Sequence, residues 1–279
     1  MSDRFNELVR LMAALRAPDG CPWDRKQTHD SLKPYLLEET YEVLETIDQQ
    51  DEPKLREELG DILLQVLFHA QIAAERKTFT INDVMQVLAD KLVRRHPHVF
   101  DKKKDDALTP DQVYSNWEQI KRNERKESGR AESALDGVPK TLPALLRAFQ
   151  TQARASRVGF DWPQNGDGVQ QVMDKVKEEI VELTDAYGLR ERGTTPTATA
   201  QRHLEDEMGD VLFSLVNLAR FLKVNPEDAL RRATDRFADR FHYIEAEAAR
   251  QSRPLDSMTL TEMDALWEQA KKKLSSRPA

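Results

Sequence analysis

Two helix-forming stretches carry acids three residues apart, and the pair of stretches occurs twice. In the second half, Lys175-Val-Lys-Glu-Glu-Ile-Val-Glu182 is answered by Glu205-Asp-Glu-Met-Gly-Asp210. In the first half, Glu38-Glu39-Thr-Tyr-Glu42 is answered by Glu57-Glu58-Leu-Gly-Asp61. A spacing of three puts both carboxylates of a pair on one side of a helix. The correspondence runs along the whole chain. Glu39 to Glu179 is 140 residues, Asp61 to Asp210 is 149 and Trp117 to Trp267 is 150. Lys91 and Arg95 correspond in the same way to Arg236 and Arg240. The offset grows mainly between the acid helices, as expected of an insertion in a surface connection. The chain therefore reads as two copies of one helical unit.

Composition supports that reading. The 279 residues suffice for two cores, and a charged fraction of 33% with only ten glycines and no β-rich run favours an all-α fold. Turn formers concentrate between Ser128 and Lys140, which places an N-terminal domain at 1–128, a linker at 129–140 and a C-terminal domain at 141–279. Helices are expected at about 3–17, 31–49, 52–76, 80–95, 110 onward, 142–158, 168–190, 201–223, 226 onward and 259 onward. Asp51, Thr80, Asn225 and Thr259 are the expected caps, and Gly159 is a stop. The segments 20–29, 160–163 and 193–196 read as loops. A net charge of -7 argues against generic nucleic-acid binding. Short apolar runs and the absence of a signal-peptide pattern make a soluble, cytoplasmic chain the expectation, with no membrane contact. Cys21 has no partner cysteine and reads as a small packed side chain.

An isolated acid on a helix is ordinarily solvated. Four converging carboxylates repel one another and lose hydration, and a divalent cation removes that cost. Mg²⁺, with Mn²⁺ as a substitute, prefers hard oxygen ligands and reaches substrate phosphates. At about 100° per residue, Glu39 falls about 60° from Leu36 on the apolar stripe and Glu42 about 120° away, whereas Glu38 lies nearly opposite. Glu39 and Glu42 are thus the better ligands, joined by Glu58 and Asp61. Leu59, Ile62, Leu63 and Val66 form one face of the next helix and Leu64 and Phe68 the other, which predicts a central helix. Arg236 and Arg240, one turn apart, could fork onto a polyphosphate, with Lys175 and Lys271 as added charges. As solvated cations they need no substrate, and Trp267 reads as core packing ahead of stacking on a base. His96-Pro-His98 reads as a helix-terminal loop rather than a metal pair. The chain lacks GxxxxGK, GxGxxG and GxSxG motifs, and none of its six histidines has a Glu three residues earlier, which leaves a redox-silent ion.

Cys21-Pro-Trp-Asp-Arg-Lys-Gln-Thr-His29, Ser31-Leu-Lys-Pro-Tyr-Leu-Leu-Glu-Glu39, Glu57-Glu-Leu-Gly-Asp61, Arg94-Arg-His-Pro-His-Val-Phe100, Ser156-Arg-Val-Gly-Phe-Asp-Trp162 and Glu207-Met-Gly-Asp210 closely resemble MazG nucleoside triphosphate pyrophosphohydrolases. The resemblance implies two tandem all-α MazG-like domains whose helices pair into bundles across a homodimer. It also implies Mg²⁺-dependent cleavage of nucleoside triphosphates between the α- and β-phosphates, yielding the monophosphate and pyrophosphate. By position, Glu179, Glu182, Glu207 and Asp210 become the metal ligands of the second copy, and Lys175, Arg236, Arg240, Trp267 and Lys271 its nucleotide contacts. His203 to Asp206 would line base or ribose, and Glu178 would orient or deprotonate the attacking water. Arg236 stands where the family can have Lys. The resemblance ties the second copy most firmly to catalysis. The first copy keeps Glu39, Glu42, Glu58, Asp61, Lys91, Arg95, Trp117 and Lys121, so its residues give no reason to call it inactive. The competing readings are a narrower dUTPase-like or phosphoribosyl-ATP pyrophosphohydrolase-like enzyme, and a non-catalytic nucleotide-binding helical module.

Overall fold

A computed structural model describes residues 2–101, 108–127, 133–163, 166–192 and 197–275. The regular secondary structure of the described residues is entirely helical, with no strand among them. Chain contacts divide them into two units, Met1–Glu124 and Arg125–Ala279. Residues 129–132 of the expected linker and the expected 193–196 loop lie outside the described residues.

The first unit contains α1 (Ser2–Arg16), α2 (Pro22–Lys26), α3 (Lys33–Gln49), α4 (Glu52–Glu75), α5 (Ile81–Arg95), α6 (Pro97–Phe100) and most of α7 (Pro110–Glu127). α4 packs against α1, α3 and α5. Met12, Leu32, Leu67, Phe68 and Ile72 form the buried centre. The N-termini are set by local chemistry: Asp51 accepts from the Lys54 N–H at 3.0 Å, and Asp83 accepts from the Thr80 N–H at 2.7 Å. Two short helices were not expected. Both α2 and α6 begin at a proline, whose fixed φ suits the first helical position, and each is too short to show a helical period.

The second unit contains α8 (Ala144–Ser156), α9 (Gly166–Arg192), α10 (Thr197–Phe221), α11 (Pro226–Arg250) and α12 (Leu260–Ser275), with a 3₁₀ turn at Leu255–Ser257. It repeats the packing of the first: α9 on α10 as α3 on α4, and α8 on α10 as α1 on α4. α8 ends through Gly159, whose φ of 90° suits a residue without a Cβ. Gly168, at the start of α9, lies so close to the Pro163 carbonyl that a Cβ would meet it at 1.8 Å. Asn225 caps α11, and Thr259 with Glu262 forms a reciprocal box on α12, at 2.8 and 3.3 Å. Ile244, Ala248, Met258 and Leu266 form a second buried cluster between α11 and α12, with Trp267 against it.

One expectation about α4 is corrected. It is the helix on which α1, α3 and α5 pack, but its apolar circumference is not covered all round in the single chain, because Leu59, Leu64 and Val66 are exposed. The corresponding α10 residues, 149 positions on, are Met208, Phe213 and Leu215, and they are exposed as well. No described helix is long and apolar enough to cross a membrane.

Candidate active site

In each unit the acids meet where two long helices pack. In the first, carboxylate oxygens of Glu39 on α3 and of Glu58 and Asp61 on α4 lie within 4.8 Å of one another. Glu42, one turn after Glu39 on α3, stands beside the group without joining the trio, and it raises the pKa of both Glu39 and Glu58. Burial pushes the pKa of Glu39 upward, and the neighbouring Asp61 and Glu42 push it further. Glu58 is raised by burial and then by Glu42. Lys54, 3.9 Å from Glu58, is a distant counter-charge.

In the second unit the converging trio is Glu179 and Glu182 on α9 with Glu207 on α10, again within 4.8 Å. Glu179 is buried, with 7% of its surface exposed, so its charge needs a partner. Lys175 supplies one, at 2.8 Å from both Glu178 and Glu179, and these acids hold the Lys175 ammonium well above its ordinary pKa. Glu182 is raised by burial and then by Glu179. The His203 ring lies 3.4 Å from Glu207. Asp206 and Asp210 are exposed on α10, and Asp210 stands one turn beyond Glu207, outside the converging trio. Glu38 and Glu178 are exposed, and neither belongs to a trio.

The two trios are variants of one pattern that share two of their three positions. Glu39, Glu58 and Asp61 correspond to Glu179, Glu207 and Asp210, while the second trio uses Glu182 in place of the last acid. Three carboxylates confined to a few ångströms repel one another unless a cation enters. The donors are all carboxylate oxygens, with no sulfur or imidazole in either trio, which fits a hard divalent ion.

The basic residues form separate groups. The Arg240 guanidinium lies 5.3 Å from the centre of the Trp267 ring, and the Phe237 ring packs against the same indole with centres 5.1 Å apart. Trp267 thus joins the core cluster and also carries a cation. Arg236 is exposed, and neither it nor Arg240 forms an ion pair among the described residues. Lys271 is bonded to Glu268. In the first unit Arg95 and Lys121 stand over the Trp117 ring at 5.8 and 3.8 Å, and Lys91 is half-buried one turn before Arg95.

Three contacts could not be read from the sequence. Glu124 bonds both Arg94 and Arg95, which hold its pKa down at about 2. Arg220 pairs with Asp161 and fixes the 160–163 loop to α10. His29 and His69 stack with ring centres 5.1 Å apart. Each joins residues at least 29 positions apart, and helical periodicity reports only near neighbours. His96 precedes α6 and His98 lies within it, so the expected helix-terminal loop is a short helix begun by Pro97; neither histidine is part of an acid trio.

The MazG nucleotide pyrophosphohydrolase domain matches this chain twice, over residues 27–100 and again over 167–244. The chain belongs to the MazG family. Each match contains one acid trio and one pair of cations, Lys91 with Arg95 or Arg236 with Arg240, and stops before Trp117 or Trp267. Similarity to whole proteins covers nearly the entire chain. The nucleoside triphosphate pyrophosphohydrolase/pyrophosphatase MazG of Thermotoga maritima is 47% identical over 96% of this chain and 95% of its own. The nucleoside triphosphate pyrophosphohydrolase of Escherichia coli K12 is 44% identical over 97% and 98%. The uncharacterized protein YabN of Bacillus subtilis is 46% identical over 96% of this chain and 51% of its own length. The double match to the MazG domain agrees with the repeat in the acids.

Proposed function

We propose that this chain hydrolyses nucleoside triphosphates between the α- and β-phosphates, releasing the monophosphate and pyrophosphate. Membership of a family of pyrophosphohydrolases, which act on acid anhydrides, supports the reaction class. The observation that carries the reading is the convergence of Glu179, Glu182 and Glu207 within 4.8 Å where α9 and α10 pack, with Glu179 buried.

The trio is the set that would hold Mg²⁺ or Mn²⁺, with Asp210 one turn away as a fourth carboxylate. When bound, such an ion neutralises phosphate charge and lowers the pKa of a water. The chain's own residues do the rest. Lys175 gives the buried Glu179 a counter-charge, its ammonium 2.8 Å away. Glu178, exposed beside the trio, can accept a proton from the attacking water. Arg236 and Arg240 offer planar donor sets to phosphate oxygens as charge develops on the leaving pyrophosphate. Lys271 adds a point charge, Trp267 presents an aromatic face, and His203 with Asp206 lies on the α10 side of the trio for ribose or base. In the first copy Glu39, Glu42, Glu58 and Asp61 take the metal role and Lys91, Arg95, Trp117 and Lys121 the nucleotide role.

The partner we assign to the exposed faces is a second copy of this chain. Leu59, Leu64 and Val66 on α4 and their counterparts Met208, Phe213 and Leu215 on α10 repeat the same uncovered apolar pattern. The enzymatic reading is tested by separating the products of Mg²⁺-ATP and of a panel of other triphosphates. Nucleoside monophosphate with pyrophosphate supports it. A product set confined to one nucleotide points instead to the narrower enzyme.

A further inference from the structure

Resting on the nucleotide-binding reading above, we infer that Glu124 is a specificity-determining residue: its carboxylate occupies the phosphate position on Arg95, so that triphosphate binds preferentially to the second copy. The two copies place an arginine over a tryptophan in nearly the same way, Arg95 over Trp117 at 5.8 Å and Arg240 over Trp267 at 5.3 Å. They differ in what else the arginine meets. Glu124 accepts from the Arg94 Nε at 2.7 Å and from the Arg95 Nε at 3.2 Å, with a further bond from the Arg95 Nη2. Two guanidinium groups clamped on one carboxylate use the same forked donors that recognise phosphate oxygens. A triphosphate approaching Arg95 must displace Glu124, and the displaced carboxylate would then repel it.

The second copy lacks both parts of the clamp. At the offset of 145 that relates Arg95 to Arg240, Arg94 corresponds to Asp239, and at the offset of 150 that relates the tryptophans, Glu124 corresponds to Leu274. Arg240 has no carboxylate partner among the described residues. Glu124 is four-fifths buried with Arg95 and stays ionised at any neutral pH, so the competitor is always present.

Glu124 also ties α7 to α5, and the test separates that structural role from competition. Binding of a non-hydrolysable α,β-methylene nucleoside triphosphate to the full chain in Mg²⁺ is measured by titration calorimetry. It is done for the wild type, Glu124→Gln and Arg95→Ala, with melting temperature and helix content recorded alongside. The wild type should show a tight and a weak event per chain. Glu124→Gln should strengthen the weak event about tenfold, the size expected when a charged hydrogen-bond competitor is removed, and leave the tight one unchanged. Glu124→Asp, which withdraws the charge by one methylene, should shift it the same way by less and serves if the glutamine variant loosens the first unit. A purely structural Glu124 would lower the melting temperature without strengthening either event, and that result overturns the inference. If Arg95→Ala abolishes the weak event while Glu124→Gln leaves it unchanged, Arg95 binds nucleotide and only the competition is wrong. If no variant binds nucleotide, the reading beneath the inference fails with it.

Discussion

At the residue scale the account depends on which acids face one another. The helical wheel favours Glu39 and Glu42 over Glu38 from the position of the apolar stripe alone; in the structure Glu39 belongs to the converging trio, Glu42 stands beside it outside the trio, and Glu38 is exposed. The wheel could not say which acid of the partner helix closes the group, because that depends on the axial register of two packed helices. Asp61 converges in the first unit, and its counterpart Asp210 does not join the second trio. Lys175 could be read only as a nearby cation, since its dual contact with Glu178 and Glu179 depends on rotamers. Replacing Lys175 with Met should raise the KM for Mg²⁺-nucleotide roughly tenfold with a smaller change in kcat, if the charge serves mainly to bind and organise the ground state. Steady-state kinetics across nucleotide concentrations check this, and a loss confined to kcat would contradict it. Glu178→Gln should do the reverse, cutting kcat on the order of hundredfold as removal of a general base does. A variant that keeps full kcat would remove Glu178 from the proton-transfer role.

The long helices were legible because their boundaries are written in local chemistry. Asp51, Thr80, Asn225 and Thr259 each cap as expected, and Gly159 ends α8 with a positive φ. The boundaries shifted by two residues at Pro34 and Pro143, which sit at helix starts and so reset them. The α12 cap offers a test of its electrostatics. Glu262 accepts from the Arg253 guanidinium and from the Thr259 N–H, and these partners, Arg253 foremost, lower its pKa from 4.5 to about 2. A carboxyl depressed in the folded state binds fewer protons there than in the unfolded chain. Its stabilisation is therefore complete above pH 4.5 and is lost as pH falls through about 2. Urea midpoints of wild type and Glu262→Gln should differ at pH 7, keep that difference down to about pH 5 and converge toward pH 2. A difference that grows in acid would contradict the assigned direction. The Glu124 clamp should behave the same way, since its carboxyl is lowered to a similar value by Arg95 and Arg94.

For the whole molecule, the duplication was the most legible property, because order and spacing survive in sequence even where the surfaces differ. It also locates what the single chain leaves uncovered: equivalent triplets of apolar side chains on α4 and α10. Sequence periodicity marked the α4 circumference as apolar and so as core, but it cannot distinguish burial within a chain from burial against another. Replacing Leu215 with Glu would put a charge on that face and should shift a dimer toward monomer in sedimentation velocity. An unchanged mass would remove α10 from the interface. The central claim is that the acid trio of the second unit serves pyrophosphate release. The direct measurement is the product profile of Mg²⁺-ATP turnover for the wild type and for Glu179→Gln with Glu207→Gln. The account predicts equimolar AMP and pyrophosphate from the wild type, and a loss on the order of a hundredfold or more in the double variant with helix content retained. Release of orthophosphate with ADP, or undiminished pyrophosphate from the double variant, would contradict it.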